Sequence, residues 1–291
     1  MSRLLPRIIA IHDLSGFGRG SLTTVMPVLS AMGVQVCPVP TAILSTHTAF
    51  SGFSFLDTTA SMSAFLAHWK DLGLRFDAIY SGFLGSPDQA LIVQQFIDQF
   101  ARDGQPVLID PVMGDNGQLY DSLDPRMVGA MRRLIVSAAV ITPNYTEACL
   151  LLNEKQQQRP DEQAIRTQLK ALSALGPKQV IITSVPEKDR SRAIYAYDRM
   201  DSRFWKVSNE FLPVDYPGTG DALASVLLGS LLGGDCLPIA LDRADQFVSL
   251  TIRQTFGYSD LPPQEGVVQE KMLPLLLNPP PTSRYSLLEW A

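Results

Sequence analysis

Short apolar runs alternate along this chain with amphipathic stretches long enough for helices, the rhythm of a mostly parallel sheet covered by helices on both faces. The runs Arg7–His12, Val34–Val39, Ala78–Ser81, Val107–Asp110, Val140–Thr142 and Gln179–Thr183 each lead into a loop with Gly, Pro, Asn or Asp, as strands do. Between and after them, Leu22–Met32, Ala60–Leu72, Asp88–Arg102, Pro125–Ser137, Asp161–Leu175, Ala222–Leu232 and Pro238–Thr255 read as helices. Ile194–Tyr197 and Phe204–Val207, separated by the polar Asp198–Ser202, read as an antiparallel pair that gives the sheet a mixed edge. The expected fold class is α/β, with ligands at the C-terminal ends of the parallel strands. Nothing marks a domain boundary, so residues 1–291 read as one domain with a Pro-rich, loosely attached tail from about Asn278.

Charge narrows the partners. Only 18% of residues are charged against 46% hydrophobic, and the net charge is −5 with no Lys/Arg cluster, so the basic footprint of a nucleic-acid binder is missing. Any anionic ligand must be held by local geometry. Cys37, Cys149 and Cys236 are isolated, without the spacing of a zinc site or a disulfide framework, which suits a reducing cytoplasm. The longest apolar stretch, Ala222–Leu232, falls well short of the ~20 residues that span a bilayer, so no membrane segment is expected.

Pro217-Gly218-Thr219-Gly220-Asp221 stands directly before that apolar run. Two glycines around one small residue let successive N–H groups aim at a single point, and a following helix adds positive potential there, so a phosphate could be held without lysine. Asp221 beside such a cradle could take a proton from an attacking hydroxyl; an ordinary loop with Asp as helix N-cap would use the same residues. Asp110-Pro111-Val112-Met113-Gly114-Asp115 follows an apolar strand, and its two carboxylates could hold Mg²⁺ against phosphates or simply serve a turn. In Thr142-Pro143-Asn144-Tyr145-Thr146-Glu147, Asn144 and Glu147 have capping-box spacing, a role compatible with ordering metal-bound water.

The loop Asp13–Ser21 carries Gly16, Gly18 and Gly20, yet neither G-x-G-x-x-G nor the Walker pattern occurs, so a dinucleotide fold is poorly supported and the commonest phosphate loop is excluded. His47 lies among the hydroxyls of Ser45, Thr46 and Thr48, which suits a polar ligand. His12, ending the first strand, and His68, on a helix, read as structural.

Taken in order, Asp13-Leu14-Ser15-Gly16, Ser45-Thr46-His47-Thr48, Ser81-Gly82-Phe83-Leu84-Gly85, Asp110–Asp115, Thr142-Pro143-Asn144 with Glu147, and Gly218-Thr219-Gly220-Asp221 resemble the ribokinase-like superfamily. Within it they resemble the branch of pyridoxal and pyridoxamine kinases that also includes hydroxymethylpyrimidine kinases. The resemblance runs from Ile8 to about Phe256. It implies a ribokinase-like three-layer α/β sandwich with a small flap, and transfer of the γ-phosphate of ATP to the 5′-hydroxymethyl group of a vitamin B6 vitamer. Carried over by position, it implies Asp221 as base and Gly218, Thr219 and Gly220 as the anion hole. Asp110, Asp115, Thr142, Asn144, Glu147, Thr183 and Thr219 would face ATP, with Asp110 and Glu147 toward Mg²⁺, and Asp13, Ser15, His47, Thr48, Phe83 and Asp221 would line the vitamer pocket. A monovalent cation such as K⁺ and a homodimer fit the same branch, and Phe50, Phe53 and Phe55, the last two spaced two apart, suit a strand-like flap or a subunit contact.

Some positions depart from the pattern. Many pyridoxal kinases have Ser, Asn and Tyr where this chain has Asp13, Thr46, and Phe50 and Phe83. The Asp13 loop is similar to that of hydroxymethylpyrimidine kinases, whereas Ser-x-His-Thr and the Asp of Gly-Thr-Gly-Asp are closer to pyridoxal kinases. A pyrimidine kinase of thiamine synthesis is the alternative implied, and a non-catalytic vitamer-binding protein or a sugar kinase stands further off.

Overall fold

The computed structural model describes residues 5–188, 191–209, 214–258, 260–281 and 284–288. The strands are β1 (Arg7–Ser15), β2 (Gln35–Leu44), β3 (Phe55–Asp57), β4 (Ala78–Ser81), β5 (Val107–Ile109), β6 (Gly114–Asp115), β7 (Gln118–Leu119), β8 (Val140–Ile141), β9 (Gln179–Pro186), β10 (Arg192–Asp198), β11 (Arg203–Asn209) and β12 (Tyr285–Leu288). The helices are α1 (Leu22–Ala31), α2 (Thr59–Asp71), α3 (Pro87–Phe100), α4 (Arg126–Leu134), α5 (Tyr145–Leu152), α6 (Glu162–Ala174), α7 (Thr219–Leu232), α8 (Leu237–Phe256) and α9 (Pro274–Leu277).

Ten strands form one sheet in the order β12-β11-β10-β9-β8-β5-β4-β1-β2-β3, and β6 and β7 pair as a separate hairpin. From β2 to β9 the pairing is parallel throughout. β3 at one end and β10, β11 and β12 at the other are antiparallel to their neighbours. The expected antiparallel pair is β10 and β11. The segment expected as a tail from about residue 278 contains β12, which pairs with β11 from Phe204↔Leu288 to Val207↔Tyr285.

Alternation along the buried strands explains the layers. Ile9 and Ile11 point into one apolar cluster with α3, α4, α5 and α6, while Ile8 and Ala10 point into a second with α1, α7 and α8. Successive side chains of a strand face opposite sides, so strands this apolar need cover on both. Each fully buried Ile or Leu contributes about 1.5–3 kcal/mol, and the packing holds the C-terminal ends of β1, β4, β5 and β8 side by side. Among the described residues, no helix is long and apolar enough to cross a membrane.

Candidate active site

The chemistry-bearing loops meet at those strand ends. The pairing of β1 with β2 slips between His12 and Leu14, a bulge that re-aims Asp13 at the end of the strand. Asp13 is buried; its carboxylate accepts hydrogen bonds from the Ser15 hydroxyl at 3.3 Å and from the Ser21 hydroxyl. Burial pushes its pKa up, and the two hydroxyls act against that rise.

Across the site, α7 begins at Thr219 with Gly218 as its N-cap, so Asp221 is the third residue of the helix and not its cap. Gly218 has φ 81°, and a Cβ there would fall 2.4 Å from the Arg19 carbonyl oxygen. Gly266, at φ 79°, approaches that same oxygen, and a Cβ there would fall 2.6 Å from it. The loop before α1 is thus gripped between the start of α7 and the segment after α8. The first N–H groups of a helix have no partner within it; in α7 the Ala222 N–H donates to the Gly218 carbonyl at 3.0 Å. The expected cradle of Gly218, Thr219 and Gly220 therefore precedes or opens the first turn, and a Cβ on Gly220 would meet nothing within 4 Å.

Asp221 does not cap its own helix. Its Oδ2 accepts the Ser21 N–H at 2.7 Å, and its Oδ1 lies 3.8 Å from Nδ1 of His12. Burial, with Asp13 nearby, raises its pKa to about 7. His12 is fully buried, edge-on to the Tyr80 ring at 4.3 Å, and neither ring nitrogen has a hydrogen-bond partner. Burial lowers its pKa to about 3, so the imidazole is neutral.

Asp110, directly after β5, is buried, and its pKa is raised well above the ordinary carboxylate range by burial and by the charges of Glu147 and Asp221. Thr142, buried beside it, acts in the opposite direction. Asn144 and Glu147 form a complete capping box on α5: the Glu147 N–H donates to Asn144 Oδ1 at 2.9 Å and the Asn144 N–H donates to Glu147 Oε2 at 2.8 Å. Glu147 Oε1 also accepts the Met113 N–H at 3.0 Å, which ties α5 to the loop after Asp110. Thr183 joins them through a bridge to Asn144, its N–H donating to the Pro143 carbonyl at 2.9 Å. Asp115 lies apart, exposed on the β6–β7 hairpin, with its carboxylate accepting the neighbouring Asn116 N–H.

Among the described residues no three His, Cys, Asp or Glu side chains converge as a metal-binding group. Asp110 and Glu147 nevertheless suit Mg²⁺: the charged groups acting on this buried pair are themselves acidic, and Mg²⁺ keeps several waters, needing only one or two carboxylates beside substrate phosphates.

The flap, residues 45–54, is made of turns between β2 and β3 and is closed by the Ser45 N–H donating to the Ser54 carbonyl at 3.0 Å. His47 stands at its rim with Nε2 2.5 Å from the Gln264 carbonyl oxygen and its ring 5.0 Å from that of Phe50, while Thr48 is exposed. Phe83 is partly buried against the core, and its carbonyl accepts the Thr41 hydroxyl at 3.1 Å. Of the three spaced phenylalanines only Phe55 lies in a strand, β3. Sequence reasoning missed Ser21 as a bridge between two carboxylates and Gln264–Gly266 as the lid of the Arg19 loop; the glycine spacing of 16–20 was the one available signal.

The phosphomethylpyrimidine kinase family profile matches residues 24–262. The chain belongs to that family. A Bacteroides thetaiotaomicron protein assigned to the phosphomethylpyrimidine kinases is 50% identical over 98% of this chain and 100% of its own, with a TM-score of 0.94, in a crystal form that holds pyridoxal. Pyridoxal kinase from Lactobacillus plantarum is 34% identical, covering 95% of this chain and 98% of its own with a TM-score of 0.87. Pyridoxal kinase PdxY of Deinococcus radiodurans is 27% identical, over 88% of this chain and 87% of its own length. Members of the family with both names therefore share this fold, ribokinase-like in its three layers.

Proposed function

We propose that this kinase transfers the γ-phosphoryl group of ATP to the 5′-hydroxymethyl group of a vitamin B6 vitamer. The observation that carries the reading is the Asp221 carboxyl, anchored through one oxygen, with the other turned toward a neutral histidine at the start of a glycine-bounded helix. Asp221 takes the hydroxymethyl proton as the oxygen attacks phosphorus, and a pKa of about 7 suits a base working near neutrality. The N–H groups of Gly218, Thr219 and Gly220 donate to the oxygens of the transferring phosphoryl, where charge is held by preorganised dipoles. Asp110 and Glu147 would hold Mg²⁺, in part through water, and the bound ion would neutralise charge on the β- and γ-phosphates. Thr142, Asn144, Thr183 and Thr219 face the nucleotide, with Asp115 reaching it from the hairpin. Asp13, Ser15, Thr48 and Phe83 take the vitamer ring, and His47 closes its edge.

The isolated spacing of Cys37, Cys149 and Cys236 along the sequence supports a reducing cytoplasm. The exposed Ile43, Phe55 and Leu56 at the β2–β3 edge support a homodimer.

The test is a four-substrate assay of pyridoxal, pyridoxamine, pyridoxine and hydroxymethylpyrimidine with Mg²⁺ and ATP. Phosphorylation of one or more B6 vitamers is expected, and turnover of the pyrimidine alone would overturn the reading.

A further inference from the structure

Serine is among the favoured N-cap residues because its hydroxyl can accept a hydrogen bond from the first turn of its helix. Ser21 occupies that position on α1 but makes no such bond. Its hydroxyl donates instead to Asp13 Oδ1, and its N–H donates to Asp221 Oδ2 at 2.7 Å. The backbone there has φ 49° and ψ −134°, a conformation that glycine accepts and L side chains rarely adopt. Strain of this kind persists where the surroundings fix it. The loop is pinned on both sides, by the Gly16 N–H on the Leu44 carbonyl at 2.8 Å and the Arg19 N–H on the Glu265 carbonyl at 3.0 Å.

We propose that Ser21 is a positioning residue that couples the two carboxylates of the site: its hydroxyl holds Asp13, and its amide fixes one oxygen of Asp221 so that the other meets the substrate hydroxyl. The inference rests on the kinase reading for what Asp221 does. It accounts for a strained serine between Gly20 and α1, where glycine would be easier for the backbone but would leave Asp13 with Ser15 alone. Besides Asp13 and His12, the ionisable groups facing Asp221 are Asp110, Tyr80 and Tyr120, none of them a cation, while His47 acts on Asp13. Ser21 hydrogen-bonds both carboxylates of this acidic pair.

Ser21→Gly and Ser21→Ala separate the two features of the residue. Both lose the hydroxyl, but only glycine relieves the backbone, so S21G melts higher than S21A. Because the hydroxyl is what matters for turnover, both lose about tenfold or more in kcat/KM for the vitamer, equivalent to one buried hydrogen bond left unmade. A role confined to stability would instead make activity follow melting temperature. Wild-type kcat/KM in either variant overturns the proposal while leaving the kinase reading intact. A wild-type chain that phosphorylates no vitamer sinks the vitamer reading, and the coupling is then read without vitamer turnover from the Asp13 carboxyl titration by ¹³C NMR. That titration moves to higher pH in S21A and S21G; an unchanged titration overturns the proposal.

Discussion

Nδ1 of His12 lies 3.8 Å from Oδ1 of Asp221, and burial keeps the imidazole neutral. Asp221 thus gains a polar neighbour without a cation to lower its pKa, which stays near 7. Its protonated form cannot accept the substrate proton, so kcat/KM falls as pH drops through that value and levels off above it. A profile from about pH 5 to 9, corrected for the vitamer's own ionisation, is expected to show one acidic limb near neutrality, reporting the free enzyme. A limb lying wholly below pH 5 would contradict the buried environment assigned to Asp221.

Gly82 leaves room for that imidazole and nothing more. A Cβ there would fall 2.2 Å from His12 Nδ1 and 2.4 Å from its Cε1. Gly82→Ala is expected to displace the ring and cost about 1–3 kcal/mol, as overpacking does, measured as a lower urea midpoint. Turnover should fall with it because the wall beside Asp221 moves.

In Asp221→Asn the amide oxygen can still receive the Ser21 N–H, but the nitrogen replacing Oδ1 accepts no proton. The expected result is a loss of about 10²–10⁴ in kcat, with nucleotide affinity nearly intact in a calorimetric titration. An unchanged rate would remove Asp221 from the base role.

The raised pKa values of Asp110, Glu147 and Asp221 fix the direction of pH-dependent stability. A carboxyl whose folded pKa lies above its unfolded value stabilises at low pH, and that contribution is lost as pH rises toward the folded value. His12, its pKa held near 3 by burial, gives the opposite slope below about 6.5; from about pH 6.5 to 8 the protein alone should therefore melt lower as pH rises, and Mg²⁺ with nucleotide should restore the melting temperature. Asp110→Asn should raise the melting temperature at pH 8 without ligand and weaken the restoration by Mg²⁺, both readable by scanning calorimetry.

The parallel core was legible because its strands are apolar on both faces: β4 spans Ala78–Ser81 as the sequence predicts, and β5 and β9 start where expected. β2 runs past its expected end at Val39 to Leu44. Pro40 reads as the end of that strand, yet β3 pairs only from Ala42 to Leu44, so the missing N–H groups of Pro38 and Pro40 face an open edge. The start of α7 three residues before Ala222 was hidden by the same glycines that marked the anion loop. Asp110, Glu147, Gly218 and Asp221 were readable because each sits in a local motif at a strand or helix end. The bridge from Ser21 to Asp221 spans 200 residues and depends on a backbone conformation that no local pattern announces. β12 was equally hidden, since four residues behind a proline run carry too little periodicity to declare a strand.

The Arg19 carbonyl, clasped between Gly218 and Gly266, divides the molecule into parts that evolution can and cannot edit. Both glycines sit at positive φ against backbone, so any side chain at either would pry the Arg19 loop from its packing there. Selection for a new acceptor must then act through exchangeable side chains such as Thr46, Phe50 and Phe83. A mutational library aimed at a new acceptor would diversify those three and leave the two glycines untouched.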